Sequence, residues 1–93
     1  MKIYKFGYKV DFCFKYSGEK INEYYKVNFK NGYSASIIKS EFSYGGDDGL
    51  YELAILDKDK NIITDDTYND VHGFLTSAEV ETMLNFIESF PQI

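Results

Sequence analysis

Hydrophobic and polar residues alternate with a period of two through the start of the chain. Tyr4, Phe6, Tyr8, Val10, Phe12, Phe14 and Tyr16 share one parity; Lys5, Gly7, Lys9, Asp11, Cys13 and Lys15 share the other. This pattern predicts a half-buried strand with one face in water. The run is longer than the usual strand of about five or six residues, so a bend or bulge is expected at Gly7. Ser17-Gly18-Glu19-Lys20 supplies the turn that follows. Ile21, Tyr25, Val27 and Phe29 then alternate with polar residues as a second strand, and Asn31-Gly32 marks a hairpin.

The pattern also selects the form of that hairpin. A two-residue Asn-Gly loop would set Phe29 beside Ser34 and mix apolar with polar on one face. A three-residue loop, Lys30-Asn31-Gly32 with Gly32 left-handed, pairs Phe29 with Tyr33, Val27 with Ala35 and Tyr25 with Ile37. It also places Glu23 opposite Lys39. Only this register keeps one face apolar, so it is the one expected, with a third strand from Tyr33 to about Ile38.

The stretch Ser40–Gly49 reads as a flexible acidic connection. Leu50-Tyr51-Glu52-Leu53-Ala54-Ile55-Leu56 is apolar on both faces apart from Glu52, which predicts an interior strand packed on each side. Asp57-Lys58-Asp59-Lys60-Asn61 leads into a short strand, Ile62-Ile63-Thr64. Thr76-Ser77-Ala78-Glu79 is a capping box, with Leu75 and Val80 placed as its hydrophobic staple. Val80, Met83, Leu84, Ile87 and Phe90 form one helical stripe, and Pro91 stops the helix. This helix is the sole amphipathic cover for the sheet. The expected fold is therefore α+β and a single domain over residues 1–93. It consists of an antiparallel sheet of four to five strands with one C-terminal α-helix packed on its aromatic face.

Composition adds two points. Nine Tyr and eight Phe among 93 residues, with no Trp, allow a short chain to bury a large area per residue. The net charge of −5 is unevenly divided. Residues 1–40 carry eight Lys against Asp11, Glu19 and Glu23, whereas residues 41–93 carry Lys58 and Lys60 against twelve acids. An acidic half of this kind repels nucleic acid and suits a basic partner surface.

One cysteine, Cys13, and one histidine, His72, provide neither an internal disulfide nor a four-ligand zinc site. No apolar run approaches the roughly 20 residues of a membrane span, and the N-terminus lacks a signal-peptide core, so a cytoplasmic location is expected. Asp57-x-Asp59-x-Asn61 begins like a calcium loop but has Ile62 where Gly is required and Tyr68 where a bidentate Glu belongs; it reads as a polar turn. Asp65, Asp66 and Asp70 form a carboxylate group without an accompanying base or nucleophile, and His72 is expected to pack or cap near the helix start. Cys13 falls on the solvent face by parity, and Gly45-Gly46-Asp47-Asp48-Gly49 lacks the spacing of a phosphate loop. No catalytic residue, metal site or cofactor is expected. The acids Asp47, Asp48, Asp57, Asp59, Asp65, Asp66 and Asp70 are the candidate partner-binding residues.

Tyr51-Glu52-Leu53-Ala54-Ile55-Leu56, the acidic Asp65-Asp66-Thr67 and the stretch Asn69–Val80 carry a resemblance. Over about residues 50–90 the chain resembles small proteins of phages and mobile elements of low-GC Gram-positive bacteria, which show "YELAVL", "DTPITDDV" and "GYLTEEEV" segments. It departs from them at Thr67-Tyr68-Asn69, where a Thr-Pro pair is usual. The resemblance implies a non-enzymatic inhibitor of a host defence nuclease or complex, of the anti-CRISPR type, acting in the host cytoplasm through its acids on a basic protein surface. The alternative it implies is a structural or regulatory phage module, a homodimer joined through a sheet edge. Neither reading involves direct contact with nucleic acid or membrane.

Overall fold

The computed structural model describes residues 1–40, 43, 46–63 and 72–93, with the side chains of Ser17 and Asp47 set aside. One antiparallel sheet holds β1 (Lys2–Lys5), β2 (Tyr8–Ser17), β3 (Lys20–Asn28), β4 (Ser34–Lys39), β5 (Tyr51–Leu56) and β6 (His72–Leu75) in sequence order. A single helix, α1 (Ser77–Glu88), follows. The α+β class holds, but the strand count is six where four to five were expected.

The additional strands arise at the two edges. The long strand expected from Tyr4 to Tyr16 is a hairpin, because Phe6 (φ 57°) and Gly7 (φ 81°) both take left-handed conformations and close a two-residue turn between Lys5 and Tyr8. Gly7 is therefore part of a turn and not a bend. The turn pairs Tyr4 with Lys9 and Ile3 with Val10, so Tyr4 points to water, 81% exposed, and Ile3 takes the core position. At the other edge, β6 forms from His72-Gly73-Phe74-Leu75, where only the approach to the helix was expected. The short strand expected over 62–64 is instead an isolated bridge between Leu56 and Ile62; Thr64 lies outside the described residues.

The β3–β4 hairpin has the register that the apolar pattern selected. Val27 pairs with Ala35, Tyr25 with Ile37 and Glu23 with Lys39, and Phe29 donates its amide to the carbonyl of Tyr33. Gly32 supplies the left-handed residue at φ 96°. The core joins Phe6, Val10, Tyr25, Val27, Ala35, Ile37, Tyr51, Leu53 and Ile55 of the sheet to Val80, Leu84 and Ile87 of α1. Phe6 sits among aromatic edges, its ring 5.3 Å from Tyr25 and 5.1 Å from Tyr51. β5 is interior in the sheet, but only its Tyr51-Leu53-Ile55 face is buried; Glu52, Ala54 and Leu56 are half-exposed on the face away from the helix. A second covering layer, expected from the apolar run, is not present among the described residues.

Two sheet turns position the helix. Its N-terminus carries the expected capping box: Glu79 donates its amide to Thr76 Oγ1 at 3.2 Å, and Thr76 donates to Glu79 Oε1 at 3.1 Å. Glu81 lies against the first turn, where a Cβ on Gly7 would approach its Oε1 to 2.9 Å. At the C-terminus the last turn has no basic residue, and the Asn31 amide substitutes for one. Asn31 donates to the carbonyls of Ile87 (2.9 Å), Phe90 (3.1 Å) and Glu88 (3.4 Å), and its own Oδ1 accepts from Tyr33 N at 3.1 Å. These bonds satisfy carbonyls that the helix leaves orphaned. Asn31→Ala is expected to destabilise the fold by about 1–3 kcal/mol, and Asn31→Asp by more, since a carboxylate would face those carbonyls. Thermal melts check this: a loss of roughly 5 °C or more for Ala, with Asp lower still, is expected.

Candidate functional site

The aromatic face of β2 runs beyond its cover. Phe12 stacks on Tyr25 at 4.9 Å and on Phe14 at 5.8 Å, and Phe14 meets Tyr16 edge-on at 5.6 Å. Exposure rises along this ladder, from half-buried Phe12 to 45% at Phe14 and 69% at Tyr16, and Ile21, the cross-strand partner of Tyr16, is 51% exposed. The expectation that the helix covers this whole face is thus corrected: cover ends near Phe12.

The same stretch has an open edge. Met1 and Phe12 exchange backbone bonds of 2.7 and 3.3 Å, and no described strand pairs with β2 on that side beyond Phe12. Because Phe12 bonds outward, alternation turns the N–H and C=O of Phe14 and Tyr16 outward as well. The hairpin tip therefore presents two aromatic rings, Ile21 and a strand edge that no described strand pairs.

The candidate acids fall in different places. Asp48 is exposed at the end of a 3-10 turn, Gly46–Asp48. Among the described residues of the expected flexible connection, Ser43 N bonds Ser40 O, Gly46 N bonds Ser43 O, and Gly49 N bonds Gly46 O. This turn links the end of β4 to the start of β5, the same end of the sheet as the β2–β3 tip. Asp57 and Asp59 follow β5 at the far end, about 20 Å away along a six-residue strand. Asp57 is committed to its own turn, with Oδ1 accepting from Asp59 N at 2.8 Å and Asn61 N at 3.0 Å, as the polar-turn reading expected. Asp65, Asp66 and Asp70 lie outside the described residues, as does the side chain of Asp47. Asp48 therefore lies apart from Asp57 and Asp59, and these three do not share one surface.

One ionisable network was only half legible in the sequence. Glu23, paired with Lys39 as the register required, sits at 2.9 Å from its ammonium and also accepts from the Tyr25 hydroxyl two residues along the strand. Lys39 lies 5.1 Å from the centre of the Tyr51 ring. Burial alone would raise the Glu23 pKa, but the hydrogen bonds from Tyr25 and Lys39 outweigh it and hold the carboxyl below its ordinary value. Burial, and then the Glu23 carboxylate, push Tyr25 far above its ordinary value, so it remains a donor. The bond to Glu23 raises Lys39 against the opposing effect of burial. The shared parity of Glu23 and Tyr25 was the available signal for the third member.

Cys13 is exposed, as parity predicted. His72 lies in β6 with Nε2 buried and without a hydrogen-bond partner among the described residues. Among those residues no group of three or more His, Cys, Asp or Glu is placed to hold a metal ion, and no helix is long and apolar enough to cross a membrane. Comparison with known proteins returns no matching family model, curated protein or solved structure.

The network predicts a pH dependence. With the folded Glu23 pKa below its unfolded value, its contribution is present above the ordinary carboxylate range and is lost as the pH falls through the folded value. Glu23→Gln should lower the melting temperature at pH 7 by roughly 4–8 °C, for a loss of about 1 kcal/mol. Once the pH has fallen below the depressed folded value, the parent and variant should converge. A gap that stays constant from pH 7 down through that value would contradict the pairing.

Proposed function

We propose that the chain is a small non-enzymatic binding protein that inhibits a host nuclease or defence complex, as phage-encoded proteins of the anti-CRISPR type do, and that its contact surface is the free end of the β2–β3 hairpin. The observation that supports a binding role is the joint exposure of Phe14, Tyr16 and Ile21 beside a strand edge that no described strand pairs. Aromatic side chains held at a surface by neighbouring rings lose little entropy on contact and act as anchors in protein interfaces. Glu19 in the hairpin turn and Asp48 at the same end are exposed carboxylates that can meet basic groups of a partner, beside the exposed Lys15 and Lys20, so the basic character proposed for the partner rests on the acidic second half of the chain as a whole. Asp57 and Asp59, at the far end, add to the long-range field without touching the same contact. Asp47, Asp65, Asp66 and Asp70 remain in the proposal as members of the acidic half.

A second reading, a homodimer joined edge to edge, is favoured by the same open edge. In that arrangement Phe14 of one copy pairs with Tyr16 of the other, and the two copies of Lys15 face each other. Like charges directly opposite one another weigh against it. Light scattering over a range of concentrations separates the two readings.

The test uses the full chain as bait in host lysate, followed by affinity measurements on the captured protein. Tyr16→Thr combined with Ile21→Thr should weaken binding about tenfold or more while leaving the melting temperature near that of the parent. Binding that survives this change but is lost on charge reversal at Asp57 and Asp59 would move the contact to the opposite end and overturn the assignment.

A further inference from the structure

At the end of the sheet opposite the hairpin tip, β2 and β3 part. Their ladder runs from Ser17↔Lys20 to Asp11↔Lys26 and stops, although β2 extends back to Tyr8 and β3 forward to Asn28. By alternation the next rung would join Lys9 to Asn28, whose backbone groups are turned toward each other but do not form a ladder pair. A cleft of about 770 Å³ occupies this end, bounded by the first residues of β2, the last of β3, and the end of α1 with the chain that follows it.

Its lining has a definite chemistry. Val27 lies at the base, and the rings of Tyr8, Phe29 and Phe90 stand around it, with Tyr8 and Phe29 edge to face at 5.8 Å. Lys9, on the face of the sheet away from the helix, borders the cleft across the gap between the parted strands, and it and Lys30 are exposed without an ion-pair partner among the described residues. Glu88 is the single carboxylate in the lining, and it lies close enough to Tyr8 to raise that hydroxyl's pKa, second to burial. The volume and the mixture of three aromatic rings with polar and charged side chains suit a small amphipathic ligand.

We propose that this cleft binds a planar aromatic anion, its ring against Tyr8, Phe29 and Phe90 and its anionic group between Lys9 and Lys30. A nucleoside 5′-monophosphate and an aromatic carboxylate both carry this chemistry. This site lies away from the hairpin tip and does not depend on the partner proposed there.

The test is an NMR titration of the full chain with adenosine 5′-monophosphate, uridine 5′-monophosphate and indole-3-acetate in separate arms, with inorganic phosphate as a fourth. Saturable shifts confined to amides around Lys9, Asn28 and Phe29 are expected in at least one aromatic arm and absent with phosphate alone. Response to the nucleotides only, or to the carboxylate only, identifies the source of the anion. Lys9→Glu with Lys30→Glu should weaken the effect about tenfold or more, and Glu88→Gln should tighten it, since it removes the one repelling charge. All three side chains are exposed, so thermal melts of the variants should match the parent. No saturable shift in any aromatic arm, equal shifts with inorganic phosphate, or an affinity indifferent to these charges would overturn the proposal.

Discussion

The length of one helix against the length of two strands governs the rest of the structure. The 12 residues of α1 span about 18 Å, whereas the ten residues of β2 span about 33 Å. One helix cannot cover both ends of such a hairpin, so its position decides what is buried and what is displayed. That position is set by two turns at the same end of the sheet. Glu81 rests against the Phe6-Gly7 turn, and the Asn31 side chain holds the last carbonyls of the helix. Ile93 adds a backbone bond to Asn31, 3.0 Å long, that ties the end of the chain to the same turn.

Burial and exposure follow from that clasp. Val10, Val27, Ile37 and Leu53 lie under Val80, Leu84 and Ile87 and are sealed from water, while the aromatic ladder continues past the cover to Tyr16. The charge division takes a spatial form as well. The basic first forty residues become β1 to β4, with Lys2, Lys9, Lys15 and Lys26 on the face away from the helix. The acidic remainder supplies β5, its flanking turns and the helix, whose Glu79 sits in the first turn where the helix dipole favours it. The net charge of −5 is therefore an average over two unlike segments of the chain.

Much of the fold was legible because local chemistry and burial agreed. The β3–β4 register followed from requiring one apolar face, and the helix start from Thr76 and Glu79, since each demand could be met in only one way. The first hairpin was hidden because a two-residue turn preserves alternation in the sequence while it exchanges the faces beyond it. Phe6, a bulky residue at φ 57°, gives no local sign that it occupies a left-handed position. β6 was hidden for a related reason: it is four residues long, contains Gly73, and holds Phe74 at φ 57° beside a register shift. The spread of Asp48 from Asp57 and Asp59 was not legible either, because it depends on which end of β5 each loop joins.

The most direct test of this account is residue-resolved native-state hydrogen exchange along β2. Cys13 and Lys15 bond to β3, whereas the amides of Phe14 and Tyr16 point to the open edge. Alternating protection is predicted, slow at Cys13 and Lys15 and fast at Phe14 and Tyr16, with Val10 slow beneath the helix. Uniform slow exchange from Cys13 to Tyr16 would mean that the hairpin end is covered, and would contradict the account.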